Sequence, residues 1–379
     1  MKSISRLDNS PLARWWWSVD QVSLLLLALL LTLGVILVFA AGPVSAARLD
    51  IENSLHFPLR QIFFIFPAIA VMLGVSMLTP LQARRLGAFV FAVAFVFLCA
   101  ALIFAPEIKG ARRWIPLGAF SFQPSELLKP GFVVICAWMF AEGVRNPRFP
   151  GAAIATALYF ACAALLVMQP DYGQASLVTA VWMAMFFVSG GGVVWIAAVA
   201  GFAVAGLVAG YFFSPHLAKR IDGFLNPEVG DNYQVDKALE AIANGGLGPR
   251  AGDAAAVKFS LPDAHTDFIF AVAAEEFGLI FCLFILALFA AFVVRSYLKA
   301  GGLKSVFAQT AVCGLAALIG LQSLINVAVN LRALPAKGMT LPFISYGGSS
   351  LITAALTVGL ILSLTRRQAQ ATRRKDVMP

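Results

Sequence analysis

The sequence predicts an all-α polytopic membrane protein of about ten transmembrane helices, and three observations predict it. The chain of 379 residues is 60% hydrophobic. Only 12% of it is charged, against roughly 25% in soluble domains. Apolar runs of about 20 residues recur along nearly its whole length, each able to cross a hydrocarbon core about 30 Å thick.

Residues 1–20 carry Lys2, Arg6 and Arg14, and "RWWW" (Arg14 to Trp17) reads as an aromatic anchor at the lipid interface. The run from Gln21 to Ala41 ends near "PVSAA", which resembles a signal-peptide cleavage site. Its apolar stretch is too long for that, and about 20 residues precede it, so it reads as a first span. The remaining spans are expected at 58–79, 86–105, 124–142, 151–168, 174–189, 193–213, 267–292, 305–327 and 349–365. "SGGG" at 189–192 divides one long apolar stretch, since glycines suit a tight turn. An even count puts both termini on one side, and the basic ends, with Arg295, Lys299 and Lys304, make that side cytoplasmic. The resulting organisation is a segment 1–20, a membrane domain 21–365 with a long periplasmic loop 214–266, and a basic tail 366–379.

Within that loop, "LAKRIDGFL" and "YQVDKALEAIANGG" have the apolar spacing of helices, with Gly245 as a stop. Both are expected in the lipid interface or packed on the bundle. The outer face is unusually basic for its side: Lys109, Arg112, Arg113, Lys219, Arg220, Lys237, Arg250, Lys258, Arg332 and Lys337 fall there. Long loops cross regardless of charge, but 106–123 is short, and an anionic ligand would account for its cations.

Cysteines 99, 136, 162, 282 and 313 all sit inside apolar runs, and the three histidines form no cluster with them. Neither a disulfide frame nor a structural zinc site is indicated. Four polar stretches stand at the ends of spans. In "LPDAHTDFIF" (261–270), Asp263, Thr266 and Asp267 either start a helix or form a reaction site at the membrane surface. In "FQPSELLKP", Ser125 is placed to cap a helix, and Glu126 and Lys129, three apart, can pair as structure or face a wet cavity. "QPDYGQ" (169–174) fits an Asx-type turn. In "LPAKGMTLPFISYGGSS" (334–350), Gly347 and Gly348 lead into a helix whose first N–H groups suit a phosphate, although the same pattern makes ordinary turns.

As a set, "GARRWIPLGAFSFQPSELLK", "QPDYGQ", "LPDAHTDFIFAVAAEEFG" and "KGMTLPFISYGGSS" resemble the SEDS family, which groups FtsW, RodA and SpoVE, over nearly the whole chain. The last stretch is closer to the FtsW branch, which implies division rather than elongation. Departures are "NVAVN" (326–330), Ala336, and the unusual "GPRAGDAAAVKFS". The resemblance implies a ten-span fold and polymerisation of lipid II on the outer face of the bacterial inner membrane, at the septum. It matches the family's essential aspartate to Asp267 and its polar cavity to Glu126 and Lys129.

On that reading Asp267 is a general base toward a sugar hydroxyl. Lys109, Arg112, Arg113, Lys337 and the N–H groups near Gly347 and Gly348 serve the diphosphate, with His265 and Ser345 completing the substrate-binding set. No cofactor is implied with certainty; a divalent cation, magnesium or manganese, would suit the diphosphate. The implied partners are lipid II, membrane lipid, a cognate class B penicillin-binding transpeptidase and other divisome membrane proteins, with no nucleic acid. Two alternatives stand beside it: a lipid II flippase, for which Glu275 and Glu276 would supply deeper polar groups, and a non-catalytic divisome scaffold.

Overall fold

A computed structural model describes residues 10–107, 111–118, 120–213, 215–225, 233–249, 257–335 and 338–366. The chain begins with α1 (Pro11–Ser18), started by a Ser10 side chain that accepts the Ala13 N–H at 3.2 Å and by proline in the first turn. The Trp15 indole N–H reaches Ser76 Oγ at 2.8 Å while Trp16 and Trp17 stay exposed, which fits the anchor reading.

The first span, α2 (Gln21–Arg48), runs beyond the expected end at Ala41, straight through Pro43 and the cleavage-like "PVSAA". Next come α3 (His56–Ser76) and α4 (Pro80–Phe104), the latter opened by a Thr79–Gln82 capping box. The short loop after α4 contains an antiparallel hairpin absent from the sequence reading, β1 (Ile115–Leu117) and β2 (Phe120–Phe122).

The chain continues through α5 (Pro124–Arg145), α6 (Gly151–Met168), α7 (Tyr172–Val188) and α8 (Val193–Phe213). The turn between α7 and α8 falls at the predicted glycines, with Gly190 at a φ of +86°. Two amphipathic helices follow, α9 (Pro215–Leu225) and α10 (Tyr233–Gly245), then a 3-10 turn, Val257–Ser260. The last three helices are α11 (Ile269–Gly301), α12 (Val306–Asn330) and α13 (Gly348–Thr365).

Among the described residues, nine helices are long and apolar enough to cross a membrane, and the 17-residue α7 is a shorter apolar helix in the same bundle. These ten correspond to the ten expected spans. The bundle is built around α5, α12 and α13, whose sides are enclosed by neighbouring helices. By contrast, α8 exposes most of its large apolar side chains. Lipid is the natural cover for such a surface.

Of the two amphipathic helices, α10 takes the second of the two expected positions, packed on the bundle. It lays Val235, Ala238 and Ala241 into a cluster with Ala271 and Val272 of α11 and Val329 of α12. Small residues on that face permit the approach: a Cβ at Gly245 would collide with the Ala274 carbonyl.

Helix α11 is interrupted. Gly278 has a φ of +82°, and the turn after it loses its own acceptors. The Leu279 and Ile280 N–H groups donate instead to Gly246 at 3.0 Å and Leu247 at 3.2 Å. A loop lying against the outer side of α11 thus completes the broken ladder, as a surrounding without water demands.

Contacts at the two ends of the bundle define its faces. Trp15 near the start of the described chain and Ser363 near its end both reach the turn between α3 and α4, the latter by a 2.9 Å bond to the Leu78 carbonyl. On this face Asp20 takes a two-pronged ion pair from Arg295, at 2.5 and 2.6 Å, with Lys299 at 3.7 Å. Burial works against the Asp20 charge, but the bonds from Arg295 and Ser23 and the nearby cations hold its pKa below the usual carboxylate value. Trp15 and Ser363 therefore both lie at the α3–α4 end of the bundle. The polar stretches singled out in the sequence lie at the other.

Candidate functional site

The segment 261–268 folds as consecutive turns rather than as a helix start. The Asp263 carbonyl, at a φ of +52°, accepts the Thr266 N–H at 3.0 Å. The residue flanking α11 is Phe268, which makes no side-chain capping bond. Neither Asp263 nor Asp267 is therefore the N-cap, contrary to the capping reading. The Ala271 N–H is shared between the Phe268 carbonyl at 3.0 Å and, from another helix, Asn330 Oδ1 of α12 at 3.2 Å.

This segment is fastened to residues 338–347. Ser345 Oγ donates to the Thr266 carbonyl at 2.6 Å and accepts the Leu341 N–H at 2.8 Å. The Tyr346 N–H donates to the His265 carbonyl at 2.9 Å. The His265 ring lies 4.1 Å from that of Phe57 and 5.3 Å from that of Tyr346, with its Nδ1 buried and without a partner. Burial pushes its pKa down to about 4 despite the nearby Asp263, so the ring is neutral at pH 7.

Asp267 is half-buried at the mouth of α11. Its carbonyl accepts Asn326 Nδ2 at 2.9 Å and Asn330 Nδ2 at 3.0 Å. A Cβ built on Gly338 would lie 3.5 Å from its carboxylate Oδ2, so the carboxylate stands beside the 338–341 backbone.

Glu126 and Lys129 are buried and joined at 2.9 Å. Each has a second partner: Gln174 of α7 donates to Glu126 at 2.7 Å, and Lys129 donates to Gln322 of α12 at 2.9 Å. Gln322 in turn donates to the Thr340 carbonyl at 3.0 Å, and Thr340 meets Ser350 at 2.6 Å. A polar chain therefore runs from α5 to the segment beside Asp267. Ser125 is not the cap of α5; the cap position is Gln123, without a side-chain capping bond, and Ser125 Oγ is buried and unpartnered.

Asp171 caps α7, accepting the Gln174 N–H at 3.4 Å as an Asx turn would, and it also faces Arg113 at 3.8 Å. Burial pushes its carboxyl above the usual range, against the pull of Arg113. Arg113 additionally donates to the carbonyls of Gln169, at 3.0 Å, and Pro170. The two arginines of the basic loop thus separate: Arg113 grips the 169–171 turn, while Arg112 is exposed, with Glu107 at 3.9 Å.

The glycine pair sits at the start of α13 as expected. Gly348 packs on the Phe64 ring so closely that a Cβ would collide with it. Lys109 and Lys337 lie outside the described residues. Glu275 and Glu276 point to the same face as the rest. Glu275 accepts the N–H groups of Val257 and Lys258, both at 2.8 Å, and Glu276 pairs with the Lys258 ammonium. Among the described residues, no group of three or more His, Cys, Asp or Glu side chains is placed to hold a metal ion.

Three residues that matter here were not singled out as site residues: Gln322, Asn326 and Asn330. Their signal was available, because amides four residues apart inside an apolar run share one helix face and need partners there.

Known proteins share the fold and part of the sequence. The family model FTSW_RODA_SPOVE, described as cell cycle protein, matches residues 20–370. A "Probable peptidoglycan glycosyltransferase FtsW" of Caulobacter vibrioides (strain NA1000 / CB15N) is 44% identical over 369 residues, 97% of this chain and 95% of the relative. "Stage V sporulation protein E" of Bacillus subtilis (strain 168) is 31% identical, covering 92% of this chain and 97% of that protein. A solved chain from "Structural coordination of polymerization and crosslinking by a peptidoglycan synthase complex" superposes with a TM-score of 0.74 at 26% identity, over 92% of this chain and 97% of its own. The crystal structure of Thermus thermophilus rod shape determining protein RodA gives 0.70 at 26% identity, over 93% and 99%. Fold, length and family model agree, and the chain belongs to the FtsW/RodA/SpoVE family of polytopic membrane proteins.

Proposed function

We propose that this chain is a peptidoglycan glycosyltransferase that polymerises lipid II at the division septum, with Asp267 as its general base. The observation that carries the reading is the placement of Asp267: half-buried at a helix mouth, beside Gly338, with its main chain held by two amides. The strong similarity to proteins named as probable peptidoglycan glycosyltransferases supports it.

In the reaction, Asp267 takes the proton of a sugar 4-hydroxyl as that oxygen attacks the anomeric carbon of a second lipid II. The bond from that carbon to the diphosphate oxygen breaks, and undecaprenyl diphosphate departs with the electron pair. An α-linked donor and a β-linked product make this a single inverting displacement, for which one carboxylate suffices. Arg112 and the cations Lys109 and Lys337 offset the charge gathered on the leaving group, together with the N–H groups at the start of α13. His265, neutral, and Ser345 hold the loop that carries Asp267. A divalent cation, magnesium or manganese, would be held by one or two carboxylates together with the substrate diphosphate and would offset its charge.

The site face is periplasmic on this reading, with loop 214–266 outside and residues 1–20 and 366–379 in the cytoplasm of the inner membrane. A class B penicillin-binding transpeptidase is the expected partner, alongside other divisome proteins; the solved synthase complex supports an assembly of this kind. For a flippase, Glu275 and Glu276 would have to line a track through the bilayer, yet they are occupied by residues 257–258. Reconstitution on labelled lipid II, with and without the transpeptidase, is the deciding experiment. Glycan ladders that disappear in Asp267→Asn support the reading; lipid II that crosses vesicles without being polymerised rejects it.

A further inference from the structure

Gln322, Asn326 and Asn330 stand four residues apart on one face of α12, all buried. Each amide reaches a main chain outside its own helix. Gln322 donates to the Thr340 carbonyl at 3.0 Å. Asn326 places one N–H on the Asp267 carbonyl at 2.9 Å and the other on the Met339 carbonyl at 2.7 Å, joining the two loops through a single side chain. Asn330 donates to the Asp267 carbonyl at 3.0 Å and accepts the Ala271 N–H at 3.2 Å, a second acceptor beside the Phe268 carbonyl at the start of α11. The upper end of this stripe is tied to Lys129, which donates to Gln322 Oε1 at 2.9 Å.

We infer that the Gln322–Asn326–Asn330 stripe is the positioning device of the site. It sets the Asp267 backbone against the 338–340 segment and makes that setting depend on the buried Lys129–Glu126 pair. The inference rests on the polymerase reading given above. Its physical basis is geometric. A general base works only within hydrogen-bond reach of the proton it removes, and a misplacement of about 1 Å costs on the order of a hundredfold in rate. The carboxylate of Asp267 is one short side chain away from a carbonyl clamped by two amides, so the position of that carbonyl fixes the reach of the base. None of the three amides needs to touch the reacting atoms.

The test compares wild type, Asn326→Leu, Asn330→Asp and Asp267→Asn, each reconstituted with the partner transpeptidase on labelled lipid II. Asn326→Leu keeps the shape and removes both donors. Asn330→Asp keeps an acceptor for Ala271 and removes the donor to the Asp267 carbonyl, along with the bond to the Asn326 carbonyl within α12. The expected result is a fall in kcat of about tenfold to a hundredfold in both, with KM for lipid II unchanged, measured at a temperature where both variants remain folded. Wild-type kcat in both, while Asp267→Asn is inactive, overturns this inference and leaves the polymerase reading standing. A loss of stability and KM in step with kcat shows a merely structural role and overturns it as well. If Asn326→Leu does not fold, Asn330→Asp decides by the same split. Polymerisation by Asp267→Asn removes the underlying reading, and the inference with it.

Discussion

Lys129 Nζ lies 2.9 Å from Glu126 Oε1, and both side chains are buried in the bundle. Such a pair tolerates joint replacement far better than the loss of one member. Lys129→Met or Glu126→Gln alone is expected to cost about 3–5 kcal/mol, because the partner is left charged or its bonds unmade in a low dielectric. The double replacement should recover most of that in a detergent melting curve. Activity should stay low in the double variant, since the Lys129 bond that steadies Gln322 against the 338–341 segment is gone; full activity would confine the pair to a structural role.

Asp267→Asn should insert and melt as wild type does. Its main-chain bonds to Asn326 and Asn330 do not involve the carboxylate. Polymerisation should vanish, because an amide cannot accept the hydroxyl proton. Normal-length glycan strands from this variant would exclude Asp267 as the base.

Arg112 and Arg113 are adjacent in sequence but should behave oppositely. Arg113→Gln strips the Asp171 carboxyl of its cation and the 169–170 carbonyls of their donor, a loss of about 3 kcal/mol in stability. Arg112→Gln should leave the melting curve alone and weaken lipid II capture, read by a binding isotherm on nanodiscs. Equal melting midpoints for both variants would contradict the separation of roles.

His265 should make the protein acid-sensitive. Its pKa is near 6.5 unfolded and about 4 folded, so between these values the unfolded chain binds the extra proton. The stabilisation is complete above about pH 6.5 and is lost as pH falls toward 4, about 3 kcal/mol across the window. His265→Phe, which keeps an aromatic ring against Phe57 and Tyr346, should flatten that part of the stability profile. A slope that survives the substitution assigns the acid sensitivity to other groups.

Hydrophobic run length made nearly all of the helices legible, because each must satisfy its own backbone in lipid. The helices α9 and α10 were also readable from apolar spacing, but where they lie was not: small residues such as Ala238 and Ala241 favour packing on the bundle as much as they permit an interfacial position. The β1–β2 hairpin left no signal, its strands being three residues each. At the site, "HTDFIF" and "PSELLK" marked the right stretches. The division of labour within them depended on partners far away in sequence. Asn330 supplies a second acceptor at the start of the helix that Asp263 was expected to cap, and Arg113 is drawn to the 169–171 turn by carbonyls that only the fold brings near.

The break at Gly278 turns two amide protons into reporters. Leu279 and Ile280 bond to Gly246 and Leu247, so their hydrogen exchange can be slow only while that loop is seated. Withdrawing the loop would strand two donors on the outer side of α11, at several kcal/mol each in hydrocarbon. The 246–248 stretch is accordingly a keystone wedged into α11, and a protease or isotope label that finds it open has found the Asp267 half of the helix uncoupled from the Arg295 half.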